Sequence, residues 1–170
     1  MLPMVLTEQG FYVMGEDGRW ERSADVPVRH FSTSRYAVLL ADVAYRTAAG
    51  ELLLARKGLV FDGGSKPKLT WPLFGNPWGD YLAAYTIHDA ECATVERLFA
   101  EGYLPLSEVQ RIRKAADRHF RESMDFIQDS ILGKSRSACE SLKSKLKYKA
   151  VRLHAWWTLT RKRKKHKAGV

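Results

Sequence analysis

The chain has 170 residues, 45% of them hydrophobic, and a formal net charge of +9. That length suits one domain with its own core, and no apolar run reaches the roughly 18 residues needed to cross a bilayer as a helix. Two cysteines, Cys92 and Cys139, lie too far apart in sequence to suggest a disulfide scaffold, and suit a reducing compartment.

The opening residues, Met1-Leu2-Pro3-Met4-Val5-Leu6-Thr7, lack the basic and long apolar regions of a signal peptide, and none is expected. Residues 1–61 read as mainly β. Phe11-Tyr12-Val13-Met14 and Trp20-Glu21-Arg22 flank Asp17-Gly18, a hairpin signal. A loop from Ser23 to Ser34 precedes an apolar run from Tyr36 to Tyr45. Ala48-Ala49-Gly50 then turns the chain into Glu51-Leu52-Leu53-Leu54-Ala55, and a short strand at Leu59-Val60-Phe61 follows. These segments predict one small antiparallel sheet with a buried face.

Residues 62–79 carry Gly63, Gly64, Pro67, Pro72, Gly75, Pro77 and Gly79, a density of breakers that predicts a loop. Trp71 and Trp78 lie within it, as a packed-down group or as a hydrophobic rim for contact with substrate or membrane, with Ser65 beside the glycines.

A first helix is predicted from Asp80 to about Ala100. Tyr81, Ala84, Tyr85, His88, Cys92, Val95 and Phe99 share one face at helical spacing. Gly102 and Pro105 end it, and Ser107 with Gln110 reads as a capping box for a second helix. Val109, Ile112, Ala116, Phe120, Met124 and Ile127 form that helix's inner stripe, with Asp117 at its edge. The short connection makes the two helices antiparallel neighbours, so His88 and Asp117 are expected to face each other near mid-length. Ser137 with Glu140 announces a third helix, lined by Leu142, Leu146, Ala150, Leu153 and Trp157.

Charge is concentrated at the end of the chain. Residues 134–170 hold 13 Lys and Arg against the single acid Glu140, while residues 1–133 hold 15 against 18 acids. Such asymmetry points to a polyanionic partner. Trp156-Trp157 and the basic run containing Lys162 and Arg163 suit an anionic lipid surface; the same run suits non-specific nucleic-acid contact through phosphates. The expected architecture is α+β. A single domain spans 1–160, with β residues 1–61, the loop 62–79 and helical residues 80–160, and a basic tail covers 161–170.

Three pieces carry candidate chemistry. A carboxylate beside an imidazole fixes its tautomer and supports its charged form, so His88 with Asp117 is either a catalytic pair or a satisfied core pair. Gly63-Gly64 lets backbone carbonyls or amides approach a ligand, and Asp62 and Asp89 add hard oxygens, a set better suited to calcium than to zinc. An ordinary tight turn explains the same glycines. A nucleophilic pair of Cys92 with His88, one turn apart, is the weaker alternative, because Cys92 has no cationic neighbour in sequence.

As an ordered set, Asp62-Gly63-Gly64-Ser65-Lys66-Pro67, His88-Asp89, Ala116-Asp117-Arg118-His119-Phe120 and Lys149-Ala150-Val151-Arg152 resemble a family of small proteins of unknown function from tailed phages and prophages. The resemblance covers roughly residues 55–155 and implies the cytoplasm of an infected bacterium or a virion, with virion proteins as partners. More distantly, the set is similar to the phospholipase A2 group. That likeness implies His88 as general base, Asp117 as its orienting acid, and calcium held by Asp89 with Asp62, Gly63 and Gly64. A virion or assembly protein without catalysis, and a partner-binder using its basic tail, remain the other readings.

Overall fold

The computed structural model describes residues 6–32, 36–62, 79–131 and 133. The described chain is α+β, with antiparallel sheet first and helices after it. Strand β1 (Gly10–Met14) pairs with β2 (Trp20–Arg22) across the expected hairpin. Gly18 supplies the left-handed turn residue at φ +76°.

One predicted strand becomes two. The apolar run after Tyr36 splits into β4 (Ala37–Leu39) and β5 (Val43–Arg46). The break falls at Asp42. Its carboxylate accepts from the Lys57 amide and from Arg56 Nη1, each at 2.7 Å, which bends the chain from one sheet into another. Strand β5 lies between β1 and β6 (Leu52–Ala55), giving the order β2-β1-β5-β6. Strand β4 lies between β3 (Val28–His30) and β7 (Val60–Phe61) in a second sheet. Thus the single predicted sheet is two, and β3 arises inside the segment expected to be loop. Its alternation of side chains is too short to register as a pattern.

Helix α1 (Leu82–Ala100) follows the expected bounds. Its end is a Schellman motif: the Gly102 amide bonds Phe99 O, the Tyr103 amide bonds Leu98 O, and Gly102 sits at φ +81°. Helix α2 (Leu106–Phe126) starts two residues earlier than the capping-box reading requires. Pro105, extended at ψ 155°, occupies the cap position, and no side chain caps the helix. Ser107 is drawn into the first turn, out of capping reach. A π-helical turn, Ile127–Ile131, continues α2. The predicted third helix and the basic tail lie outside the described residues, which contain two α-helices.

The two helices run antiparallel, since His88 meets Asp117 while Glu96, further along α1, meets Arg113, further back on α2. Their inner faces close on the sheets through one core that contains Phe11, Leu39, Tyr45, Phe61, Ile87, Phe120, Met124 and Ile127. Glu122 docks α2 on the first sheet. It accepts from the Ala48 amide at 2.7 Å and from Gln9 Nε2 at 3.2 Å, with Tyr45 Oη at 3.3 Å. Among the described residues no helix is long and apolar enough to cross a membrane.

Candidate active site

His88 sits on the α1 face turned toward α2, with its side chain 9% exposed. An apolar stripe places it there; Tyr85 and Phe120 pack together beside it, and the His88 ring lies 4.9 Å from that of Phe120. Asp117 projects from α2, 6% exposed, and its Oδ1 is 3.2 Å from His88 Nε2. The two groups that spacing alone expects to converge therefore do so, in a dry seam where each offsets the other's desolvation.

The seam sets the proton chemistry. Burial opposes the charged imidazole, but the Asp117 hydrogen bond, aided by Asp89 and Cys92, outweighs it and holds His88 well above its ordinary value. A carboxylate only accepts, so Asp117 retains the hydrogen on Nε2 and Nδ1 is the nitrogen that opens on deprotonation. Asp89 Oδ1 lies 3.7 Å from Nδ1, on that working side.

Asp89 is 28% exposed at its side chain. Burial raises its carboxyl above the usual range, and the nearby Asp62 charge raises it further, while His88 and Arg113 pull it down. Asp62, which follows β7, is thus near enough for its charge to be felt at Asp89. Gly63, Gly64, Ser65, Trp71, Trp78, Lys162 and Arg163 lie outside the described residues. A hard divalent cation would relieve the repulsion between Asp62 and Asp89. Among the described residues no group of three or more His, Cys, Asp or Glu side chains is arranged to hold a metal. Asp62 and Asp89 would therefore need backbone carbonyls to complete a ligand set.

Spacing already placed Cys92 one turn from His88, and the structure adds which nitrogen it meets; the roles of Arg113 and His119 escaped the sequence reading. Cys92 Sγ stands 3.6 Å from His88 Nε2, the same nitrogen that Asp117 engages. A thiol–imidazole–carboxylate relay needs its two partners on opposite nitrogens, so Cys92 cannot form one with Asp117. Arg113, 10% exposed at its side chain, donates from Nη1 to Glu96 Oε1 at 2.7 Å. Its Nε is buried without an acceptor among the described residues, a state that costs about 1–3 kcal/mol. The signal for Arg113 was its place four residues before Asp117, on the same helix face. Finally, His119 bridges Glu91 (Nδ1 to Oε1, 2.9 Å) and Glu51 (Nε2 to Oε2, 3.1 Å), tying both helices to the start of β6.

The fold and seam define a class: an α+β protein whose antiparallel helix pair encloses a buried His–Asp dyad, with a second acid, Asp89, beside the histidine. The chain belongs to DUF1353, a family described as protein of unknown function, whose model matches residues 37–135. The match takes in β4 through α2 and includes Asp62, His88, Asp89, Arg113 and Asp117. No curated protein and no solved structure matches the chain.

Proposed function

We propose that this chain is a calcium-dependent ester hydrolase of the phospholipase A2 kind, encoded by a phage or prophage and acting on membrane phospholipids. The observation that carries the reading is the 3.2 Å contact between His88 Nε2 and Asp117 Oδ1, with Asp89 on the open side of the same ring. The ordered motif set supports the phage setting, and the basic end of the chain, including Lys162 and Arg163, supports contact with anionic lipid.

In its neutral form, populated as pH rises toward its raised pKa, His88 acts as general base through Nδ1. It takes a proton from water as the water oxygen attacks the ester carbonyl carbon. Asp117 holds the ring in that orientation and stabilises the imidazolium that results. The proton then passes from Nδ1 to the departing alcohol oxygen as the carbon–oxygen bond breaks, leaving the free acid. Asp89 and Asp62, with carbonyls of Gly63 and Gly64, would hold the calcium ion. The chemistry such an ion supplies is polarisation of the carbonyl and stabilisation of the charge on its oxygen.

The test is fatty-acid release from anionic phosphatidylglycerol vesicles with calcium and with chelator. Release that needs calcium and disappears in His88→Gln supports the reading; no release under either condition rejects it.

A second reading is favoured by the number of polar ties between the helices, His88–Asp117, Arg113–Glu96 and His119–Glu91. In that reading the seam locks a non-catalytic virion or assembly protein. His88→Gln then lowers stability and leaves no turnover to lose.

A further inference from the structure

Arg113 is the buried charge that the hydrolytic scheme leaves unused. It lies one turn before Asp117 on α2, so it lines the same seam; its partner Glu96 lies two turns beyond His88 on α1. A residue that served only to clamp the helices would be expected to have its donors matched. Arg113 does not: Glu96 takes Nη1, while the Nε–H, shielded from solvent, meets no acceptor among the described residues.

The charge balance of the seam gives that donor a use. Asp62, Asp89, Asp117 and Glu96 outnumber His88 and Arg113, and the Arg113 charge is felt at Asp89. A divalent cation at Asp89 and Asp62 would cancel the excess. An anionic oxygen could then approach the Arg113 guanidinium, whose planar fork matches phosphate geometry. We propose that Arg113 is the anion-recognition group of this site: its Nε edge takes a phosphate oxygen of the substrate and so selects phosphate-bearing esters over neutral ones. The inference rests on the calcium-dependent hydrolase reading above. It adds the residue that chooses the substrate, and it makes phosphate and calcium binding mutually reinforcing by the same factor in each direction.

Two measurements on the full chain test it. The first is calorimetric titration with glycerol 3-phosphate, with and without calcium. The second compares hydrolysis of a short-chain phosphatidylglycerol with that of a diacylglycerol carrying the same acyl chains. Glycerol 3-phosphate is expected to bind when calcium is present. Arg113→Met should weaken that binding roughly tenfold or more, the loss of one charged hydrogen bond. It should also raise KM for the phospholipid about tenfold more than for the diacylglycerol, and Arg113→Lys should recover part of both losses.

Glu96→Gln decides the matter even where Arg113→Met fails to fold. Removing the competing carboxylate should keep or tighten phosphate binding, whereas a purely structural clamp loses it. The proposal is overturned if Arg113→Met affects both substrates equally, if Glu96→Gln weakens phosphate binding, or if glycerol 3-phosphate does not bind with calcium. Phosphate binding through Arg113 without hydrolysis of either substrate would remove the hydrolase reading and leave the anion site standing. Hydrolysis that is indifferent to Arg113 would do the reverse.

Discussion

Asp117→Asn probes the dyad with the least change of shape. The asparagine keeps the volume of the side chain and an oxygen that can accept from His88 Nε2, but it removes the charge. In the native protein that oxygen lies 3.2 Å from Nε2, with the two side chains 6% and 9% exposed, so solvent screens little of the interaction. A hydrogen bond to a charged partner is worth about 1.5–3 kcal/mol, and that is the expected loss at acidic pH. Asp117→Ala also leaves the imidazole facing a void and should cost about 3–5 kcal/mol, the range for breaking a buried ion pair from one side.

The pH dependence has a definite sign. Burial works against the His88 charge, yet its pKa is raised in the folded protein, chiefly by Asp117. The pair's contribution is therefore fully present below the unfolded histidine value of about 6.5 and is lost as pH rises through the folded value. Urea denaturation of the native protein and Asp117→Asn, followed by circular dichroism across that range, measures it. The gap between the two should be widest in acid and narrow in alkali. A gap that stays at zero, or that grows with pH, would refute the argument that the dyad is held together by a charged imidazole.

Other perturbations address the surroundings of the site. His119 is held above its ordinary value, first by Glu91, against burial, with further help from Glu51 and Glu122, so its clamp also weakens as pH rises through its folded value. Glu51 is 62% exposed at its side chain, and Glu51→Gln should cost less than about 1 kcal/mol by urea titration, much of it lost in high salt. Phe120→Ala removes a side chain that is 1% exposed and touches both Tyr85 and His88; a loss of about 3–5 kcal/mol is expected in the same titration. At Gly102 a new Cβ meets nothing within 4 Å, but φ is +81°. Gly102→Ala should therefore cost about 1–2 kcal/mol through backbone strain alone, read as a lower melting temperature with an unchanged spectrum.

Much of this organisation was written locally. The Asp17-Gly18 hairpin, the Ala48-Ala49-Gly50 turn and the Gly102 stop are each decided by a few neighbouring residues, because turns depend on which backbone angles a residue tolerates. The α1 stripe is likewise local, since a helix brings residues three and four apart onto one face. The antiparallel pair followed from the short link between the helices, and it is this pairing that brings His88 to Asp117. Arg113 was harder to see. A charge at the edge of an amphipathic helix reads as solvated until a partner helix covers it, and Glu96 lies 17 residues away in the chain.

From its own order of residues the chain determined an α+β plan, two paired helices, and a histidine and an acid aimed at one seam. Only the tertiary structure decided that the apolar run after Tyr36 divides between two sheets. It alone set Cys92 on the nitrogen already held by Asp117, and brought the Asp62 charge within reach of Asp89. The reason is physical: backbone angles and side-chain periodicity act over a few residues. Which charges end up sharing a dry space depends on how distant segments pack, and no short stretch of sequence contains that information.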